Sequence, residues 1–240
     1  MHSPFVFDFI KNVLNNRAQF DCYRDIEKQR RKLKAHDEVI EVDDFGAGSA
    51  VIASKLRKVK DIANSSLKSK KYAQLLFRLV HYYKPATIVE LGTSLGITSA
   101  YLALGNKDAK LYTCEGAPGI ASLALTTFNS LQVNNIELIE GDFTITLPLL
   151  LAKIKRVDFV FIDGNHRKEP TLHYFTQFLT CSTSSTIFVF DDIHWSKEME
   201  AAWADIQLNP AVTLTIDLFF IGLVFINPDF KVRQHFKIRF

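Results

Sequence analysis

Short hydrophobic runs alternate along this chain with longer amphipathic stretches. Four of the runs end in acidic residues, at 87–90, 111–115, 157–163 and 186–192. Each has the length of a strand, and the stretches between them are long enough for helical crossovers. The pattern therefore predicts an α/β fold whose doubly wound sheet is mostly parallel.

Further elements follow from the same periodicities. A fifth strand is predicted at 136–140, and an amphipathic helix begins at Tyr72 and ends before Lys84-Pro85, because proline disfavours helix in the residue before it. The predicted crossover helices lie near residues 96–104, 118–131, 144–152, 169–179 and 196–207. Residues 212–227 alternate as two strands joined tightly around Ile221-Gly222, so the last strand is expected to enter the sheet antiparallel.

The first 65 residues have a different pattern. Ser3-Pro4 is a good helix start, and Phe5, Phe9 and Val13 then share a face. A basic helix is predicted from Asp21 to Lys34, then a short strand or hairpin within residues 38–51 and a polar stretch at 60–71. We therefore predict a helical extension or cap at 1–65 and a main domain at 66–240. The apolar face of the cap would pack on that domain or on the second subunit of a homodimer.

Composition limits the class of protein. The chain has 240 residues, of which 48% are hydrophobic and 23% charged, and no apolar run approaches the roughly 18 residues of a membrane span. Three scattered cysteines disfavour a disulfide framework and a zinc cluster, and the N-terminus does not resemble a signal peptide. These features predict a cytoplasmic protein.

The net charge of +3 conceals an asymmetry. Residues 1–84 contain 17 Lys/Arg and 10 Asp/Glu, whereas the remainder contains 12 and 16. A basic third of this kind can attract an anionic substrate or nucleic acid. No aromatic residues alternate with the charges of the 24–34 run, which makes nucleic acid a poor candidate partner.

Two glycine-containing segments could form a ligand-binding turn. Ligands in parallel α/β sheets bind at the carboxyl ends of the strands, and both DDFGAGS (43–49) and ELGTSLGITS (90–99) are candidates for such a turn. Only the second is followed by an acid-ended strand about 20 residues on, where an acid would accept the hydroxyls of a ribose. That acid is Glu115. We interpret 43–49 as a structural turn and 90–99 as the turn of a nucleoside-binding enzyme.

The second turn resembles a known motif. ELGTSLGITSAYLA is similar to the first motif of class I S-adenosylmethionine-dependent methyltransferases, in the form found in the catechol and caffeoyl-CoA O-methyltransferases. Residues 112–115 resemble the ribose-binding strand of this family, 139–143 its adenine segment, and 70–76 its lid helix. The resemblance spans about residues 66–227 and implies a Rossmann-like fold with S-adenosylmethionine as the cofactor. The residues that it implies for the cofactor are Glu90, Gly92, Thr93, Ser94, Gly96, Glu115, Gly116, Asp142, Phe143 and Asp163.

A second group of acids suggests the chemistry. Asp163, Asp191 and Asp192 end two strands, and three carboxylates form a hard oxygen site suited to Mg²⁺. The Asp-Gly-x-His spelling at 163–166 also resembles macrocin-type O-methyltransferases. That resemblance implies that Asp163 binds the metal and that His166 is the general base for an acceptor hydroxyl. Alternatively, Asp163 belongs to the cofactor site and His166 is an ordinary loop residue.

The sequence therefore predicts an O-methyltransferase acting on a hydroxyl of a small molecule, with Mg²⁺ as an optional second cofactor. An N- or RNA-directed methyltransferase is the alternative, although the Asn/Asp-Pro-Pro-aromatic signature of amino-group enzymes is absent. A nicotinamide-dependent oxidoreductase is disfavoured by the glycine spacing and the terminal hairpin. A non-catalytic cofactor-binding protein is disfavoured by the intact acids.

Overall fold

The structure is a computed structural model that describes residues 3–42 and 56–240. The interpretation of residues 43–49 as a structural turn lies outside the described residues. The strands are β1 (Val39–Glu41), β2 (Leu56–Lys58), β3 (Thr87–Leu91), β4 (Lys110–Glu115), β5 (Ile136–Glu140), β6 (Val157–Ile162), β7 (Ser182–Asp191), β8 (Leu214–Asp217), β9 (Ile221–Phe225) and β10 (Gln234–Lys237). The helices are α1 (Pro4–Phe9), α2 (Asp21–Lys34), α3 (Val59–Ser66), α4 (Lys70–Tyr83), α5 (Ile97–Gly105), α6 (Pro118–Ser130), α7 (Phe143–Ile154), α8 (Lys168–Leu179) and α9 (Lys197–Leu208).

A mostly parallel sheet forms the centre of the described chain. Its order is β10-β8-β9-β7-β6-β3-β4-β5, and β3 to β7 run parallel to their neighbours. Strand β9 is antiparallel to both β7 and β8, as the sequence predicted. The predicted α/β, doubly wound, Rossmann-like class is confirmed. Strand β10 was not predicted, and it pairs in parallel with β8.

The tight connection before β9 was predicted at the wrong residues. Leu218 N donates to Ile221 O at 2.9 Å, and Phe219 has a positive φ of 75°. Gly222 lies inside β9, where an added Cβ would overlap the ring of Trp203. This glycine therefore serves close packing, and the turn is centred on Phe219 and Phe220, two positions earlier.

Both faces of the sheet are covered, which explains the nearly continuous apolar runs of its central strands. Ile88, Phe159 and Phe161 pack into one hydrophobic cluster, while Val89 and Val160 pack into the other. None of the described helices is both long and apolar enough to cross a membrane.

The N-terminal helices join the first of these clusters. Ser3 caps α1, which continues as a π-helical turn at Ile10–Leu14. Phe9 and Val13 are fully buried, in the cluster that also contains residues of α4 and α5. The apolar face of α1 thus packs on the same chain. The division into domains at residue 65 stays a prediction.

Helix α3 occupies part of the stretch that was predicted only as polar. Its apolar positions are Val59, Ile62 and Ala63, all buried. The i, i+3, i+4 spacing of these residues forms one helical face. Three positions give too weak a periodic signal to identify a helix from sequence.

Candidate functional site

A cavity of about 780 Å³ opens at the carboxyl ends of the parallel strands. The segment between α3 and α4 lines the same cavity. The cavity is lined by most of the predicted site residues: Gly92, Ser94, Glu115, Gly116, Asp142, Phe143, Asp163, His166, Asp191 and Asp192. Glu90, Thr93 and Gly96 were predicted too, but they do not line it.

The glycine turn is formed by close backbone packing. Gly92 has a φ of +100°, and a Cβ there would overlap the carbonyl oxygen of Asp163. Gly96 has a φ of +78° at the start of α5, and a Cβ there would lie 2.6 Å from the ring of Phe128. Positive φ is readily available only to glycine. Both glycines are therefore required by the fold around the cavity.

Glu115 is oriented by backbone amides at the end of β4. Ser94 N donates to its Oε2 at 2.9 Å, and Ala117 N donates to its Oε1 at 3.0 Å. Hydrogen bonds from amides to a carboxylate are charge-assisted and hold its plane in place. A carboxylate held in this way is a suitable acceptor for ligand hydroxyls.

Glu90 lies behind the turn and is fully buried. Ser99 Oγ and Thr113 Oγ1 both donate to its Oε2, the second at 2.7 Å. Burial raises the pKa of Glu90 to about 8, and the two hydroxyl donors oppose that shift. Thr93 joins the same group, with its Oγ1 2.6 Å from that of Thr113. These side chains connect β3, β4 and α5 at the base of the turn.

Asp142 and Phe143 form the wall at the end of β5. Asp142 caps α7, accepting from Thr144 N and Thr144 Oγ1 at 2.7 Å each. The Phe143 ring packs edge-on to Tyr174, with the centroids 6.0 Å apart. Gly164 lies against the same ring, where a Cβ would come within 2.7 Å. The wall therefore combines an acidic edge with an aromatic face.

The acids that end β6 and β7 surround a lysine. Lys68 Nζ donates to Asp191 Oδ2 and lies 3.8 Å from Asp163 Oδ2. Burial and the neighbouring Asp163 raise the pKa of Asp191, and burial raises the pKa of Asp163 too. Burial alone would lower the pKa of Lys68, but Asp163 and Asp191 hold it above its usual range. The two carboxylates thus favour the charged ammonium form of Lys68.

His166 lies beside these acids. Its Nε2 is 3.6 Å from Asp163 Oδ1, and its Nδ1 is 4.0 Å from Asp192 Oδ2. The φ angles of Asn165, His166 and Asp192 are +66°, +21° and +52°. Such angles are costly for non-glycine residues and tend to occur at functional sites. The two acid-bearing loops are thus held in strained conformations where they face the cavity.

The predicted magnesium ligands do not all come together. Asp163, His166 and Asp191 each offer an atom within 4.8 Å of the others, and Asp192 is outside this group. The ammonium of Lys68 donates to one of these ligands. With Lys68 in this position the residues present do not fit a divalent cation.

Sequence reasoning missed Lys68 and the aromatic residues at the cavity mouth. Lys68 belongs to no motif and precedes α4 by two positions. Trp195 and Phe220 line the cavity and are more than half exposed. Trp195 packs edge-on to His166, with the centroids 5.9 Å apart. The order of residues along the chain gives no signal that would place these side chains together.

Comparison with known proteins agrees with this geometry. Residues 89–193 match the family model of a methyltransferase domain. A search of curated proteins found no match.

Several solved structures resemble the chain. An S-adenosylhomocysteine-bound methyltransferase from Podospora anserina is 16% identical, with a TM-score of 0.65 over 95% of this chain and 97% of that one. An O-methyltransferase from Bacillus cereus, in complex with S-adenosylhomocysteine, is 19% identical, with a TM-score of 0.62 over 92% and 97%. The O-methyltransferase TomG from Streptomyces achromogenes, in complex with S-adenosylmethionine, is 23% identical, with a TM-score of 0.60 over 68% and 82%.

At these identities the likeness establishes a shared fold. The domain match covers the glycine turn, Glu115 and the acids that end β6 and β7. The chain therefore resembles methyltransferase domains over residues 89–193, and it shares its fold with these solved structures.

Proposed function

We propose that this protein is an S-adenosylmethionine-dependent O-methyltransferase that methylates a hydroxyl group of a small molecule. One observation carries the proposal: a single cavity extends from Glu115 at the end of β4 to His166 after β6. A methyl donor and an acceptor must lie in contact for transfer, and alignment of the two lowers the entropic barrier. One continuous cavity can hold the methyl donor and the acceptor in contact.

The residues at one end of the cavity fit the cofactor. The oriented carboxylate of Glu115 is suited to a ribose, while Asp142 and the Phe143 ring are suited to the amino group and face of an adenine. The Bacillus cereus and Streptomyces achromogenes structures are described as complexes with S-adenosylhomocysteine and S-adenosylmethionine. When bound, S-adenosylmethionine supplies an electrophilic methyl group on a sulfonium.

The other end of the cavity has the features of an acceptor site. His166 can take the proton of a hydroxyl group, since a neutral imidazole is a common general base in catalysis. The hydroxyl oxygen then forms its bond to the methyl carbon, and the electrons of the carbon–sulfur bond remain on sulfur. Trp195 and Phe220 give this end exposed aromatic surface, which favours an acceptor with a flat apolar face.

The alternative acceptor, RNA, has less support. Part of the basic run on α2 is used internally, because Arg30 is buried and bonded to Glu27 and the Lys68 carbonyl. Cys22, Cys114 and Cys181 are free thiols, which suits the reducing cytoplasm that we propose as the location. Homodimerisation also stays a proposal, and light scattering of the purified protein would test it.

The donor half is tested by calorimetry with S-adenosylhomocysteine. Glu115→Ala should weaken binding by at least about tenfold, because each charge-assisted bond contributes about 1.5–3 kcal/mol. Glu140→Ala is the matched control, since Glu140 also ends a strand but is exposed and outside the cavity. Unchanged affinity in Glu115→Ala, or binding of NAD in place of S-adenosylhomocysteine, would refute the proposal.

The acceptor half is tested by S-adenosylhomocysteine formation with a panel of phenols, vicinal diphenols and sugars. With an accepted substrate, His166→Ala should lower kcat by about 10²–10⁴-fold, and His173→Ala on exposed α8 surface should not. A His166→Ala enzyme with the wild-type pH–rate profile would show that this histidine is not the base.

A further inference from the structure

Lys68 holds a central position in the acceptor half of the cavity. It lies in the segment between α3 and α4, and its side chain is only 13% exposed. Its ammonium donates to Asp191 at the end of β7 and lies near Asp163 at the end of β6. It therefore occupies the space between the two acids that the sequence predicted as magnesium ligands.

The backbone of Lys68 is fixed from the N-terminal helices. Arg30 Nη1 donates to Lys68 O at 2.7 Å, and Arg30 is 7% exposed. Arg30 Nε donates to Glu27 Oε1 at 3.0 Å, and Tyr101 OH donates to the same oxygen at 2.9 Å. Nearby, Ser66 Oγ lies 2.9 Å from Ser94 Oγ of the glycine turn. Lys68 is thus held by α2, α5 and the turn.

The position of the Lys68 ammonium excludes a divalent cation from the same acids. Asp163, His166 and Asp191 form a group of suitable size for an ion, but the ammonium already uses Asp191 Oδ2. A divalent ion there would compete for that oxygen and would be repelled by the nearby positive charge. An ammonium also has three N–H donors, so Lys68 can bond to Asp191 and still donate to an acceptor oxygen in the cavity.

We propose that Lys68 supplies the fixed positive charge that a divalent cation supplies in metal-dependent O-methyltransferases. The ammonium orients the acceptor oxygen and stabilises the negative charge that develops as His166 removes its proton. Methyl transfer by this protein then requires no metal ion. The role in turnover rests on the proposed function, whereas the exclusion of metal rests on the position of Lys68 alone.

The first experiment measures metal binding directly, with Mn²⁺ as the probe and electron paramagnetic resonance as the readout. Wild-type protein and Lys70→Ala, a control two residues away at an exposed position, should bind no Mn²⁺ at stoichiometric concentration. Lys68→Ala should gain a site that binds Mn²⁺ at least tenfold more tightly than wild type does. Lys68→Ala/Asp191→Asn should lose that site again. Lys68→Arg retains a cation and should continue to exclude the metal.

The second experiment measures turnover. Wild-type kcat should be unchanged by excess EDTA, and Lys68→Ala should lower it by about 10²-fold, as expected for loss of a donor to developing charge. Added Mg²⁺ should restore part of the activity of Lys68→Ala and leave that of wild type unchanged.

The outcomes that overturn the inference are distinct. Stoichiometric Mn²⁺ binding by wild type would overturn the inference even if the variants failed to fold. Inhibition of wild type by EDTA that Mg²⁺ reverses would overturn it too. A folded Lys68→Ala protein that binds no Mn²⁺ would show that Lys68 is not what excludes the ion. None of the Mn²⁺ measurements needs an acceptor, and calorimetry with S-adenosylhomocysteine on the same samples tests the proposed function separately.

Discussion

Glu90 and Lys68 are both largely shielded from solvent, and they are stabilised differently. Among the residues that the structure describes, the donors to Glu90 are the hydroxyls of Ser99 and Thr113, and burial favours the neutral form of its carboxyl group. Lys68 has carboxylates beside it and keeps its charge. The free-energy cost of burying a charge is thus avoided at Glu90 by protonation and offset at Lys68 by pairing with carboxylates.

The state of Glu90 gives a prediction for stability against pH. Its folded pKa of about 8 exceeds the ordinary 4.5, so the folded protein holds a proton that the unfolded chain releases. This contribution is fully present below about pH 4.5 and is lost as the pH rises through 8. At about 1.4 kcal/mol per tenfold change in proton affinity, we expect the free energy of unfolding to fall by several kcal/mol from pH 5 to pH 9.

Glu90→Gln should remove the part of the pH dependence that Glu90 contributes, because the amide is neutral throughout; the part due to Asp163 and Asp191 should remain. Urea unfolding of both proteins at several pH values measures the difference, and Glu140→Gln at an exposed strand end is the control. Parallel curves for wild type and Glu90→Gln would mean that Glu90 is ionised in the folded protein.

At the scale of single elements, regular periodicity was enough for most predictions. The acid-ended strands and the helices between them form where the sequence predicted them, because burial on both faces or on one face leaves a clear pattern. Helix α3 and strand β10 were missed because each is short and half exposed. Gly222 was predicted to form a turn because the sequence alone does not distinguish a glycine required for close packing from one required for a turn.

The turn between β3 and α5 provides the element-scale prediction. Gly92→Ala should destabilise the protein by about 1–3 kcal/mol from backbone strain alone, with a further cost from overlap with Asp163 O. Displacement of this loop should also weaken binding of S-adenosylhomocysteine. Thermal unfolding and calorimetry measure the two effects.

Ser94→Ala is the matched control for Gly92→Ala. Ser94 has a φ of +48° in the same turn, but its substitution leaves the backbone unchanged and removes only a hydroxyl contact with Ser66. A loss of at most about 1 kcal/mol is expected. Equal effects of the two substitutions would contradict the steric argument.

At the scale of the whole molecule, the N-terminal helices contribute to the core and to the site. Phe9, Val13 and Ile26 belong to the same hydrophobic cluster as the sheet, and Arg30 holds the backbone of Lys68. Each fully buried side chain of this size contributes about 1.5–3 kcal/mol, against a typical total stability of about 5–15 kcal/mol. We therefore expect a chain that begins at residue 66 to aggregate.

A pair of substitutions tests this without truncation. Phe9→Ala should lower the free energy of unfolding by about 3–5 kcal/mol, because Phe9 is fully buried. Phe7→Ala on the same helix should have little effect, since Phe7 is 69% exposed. Urea unfolding distinguishes the two, and equal stabilities would show that α1 does not dock as described.

The sequence by itself determined the order of strands and helices, the glycine turn and the position of Glu115 at a strand end, because all of these depend on neighbours along the chain. Only the tertiary structure decided which side chains that are distant along the chain come into contact. Lys68 and Asp191 are 123 positions apart, and Arg30 and Lys68 are 38 apart. Glu90 faces Ser99 and Thr113 instead of the cavity because successive side chains of a strand point to opposite faces. Contacts of this kind depend on how elements pack, and no local pattern encodes them.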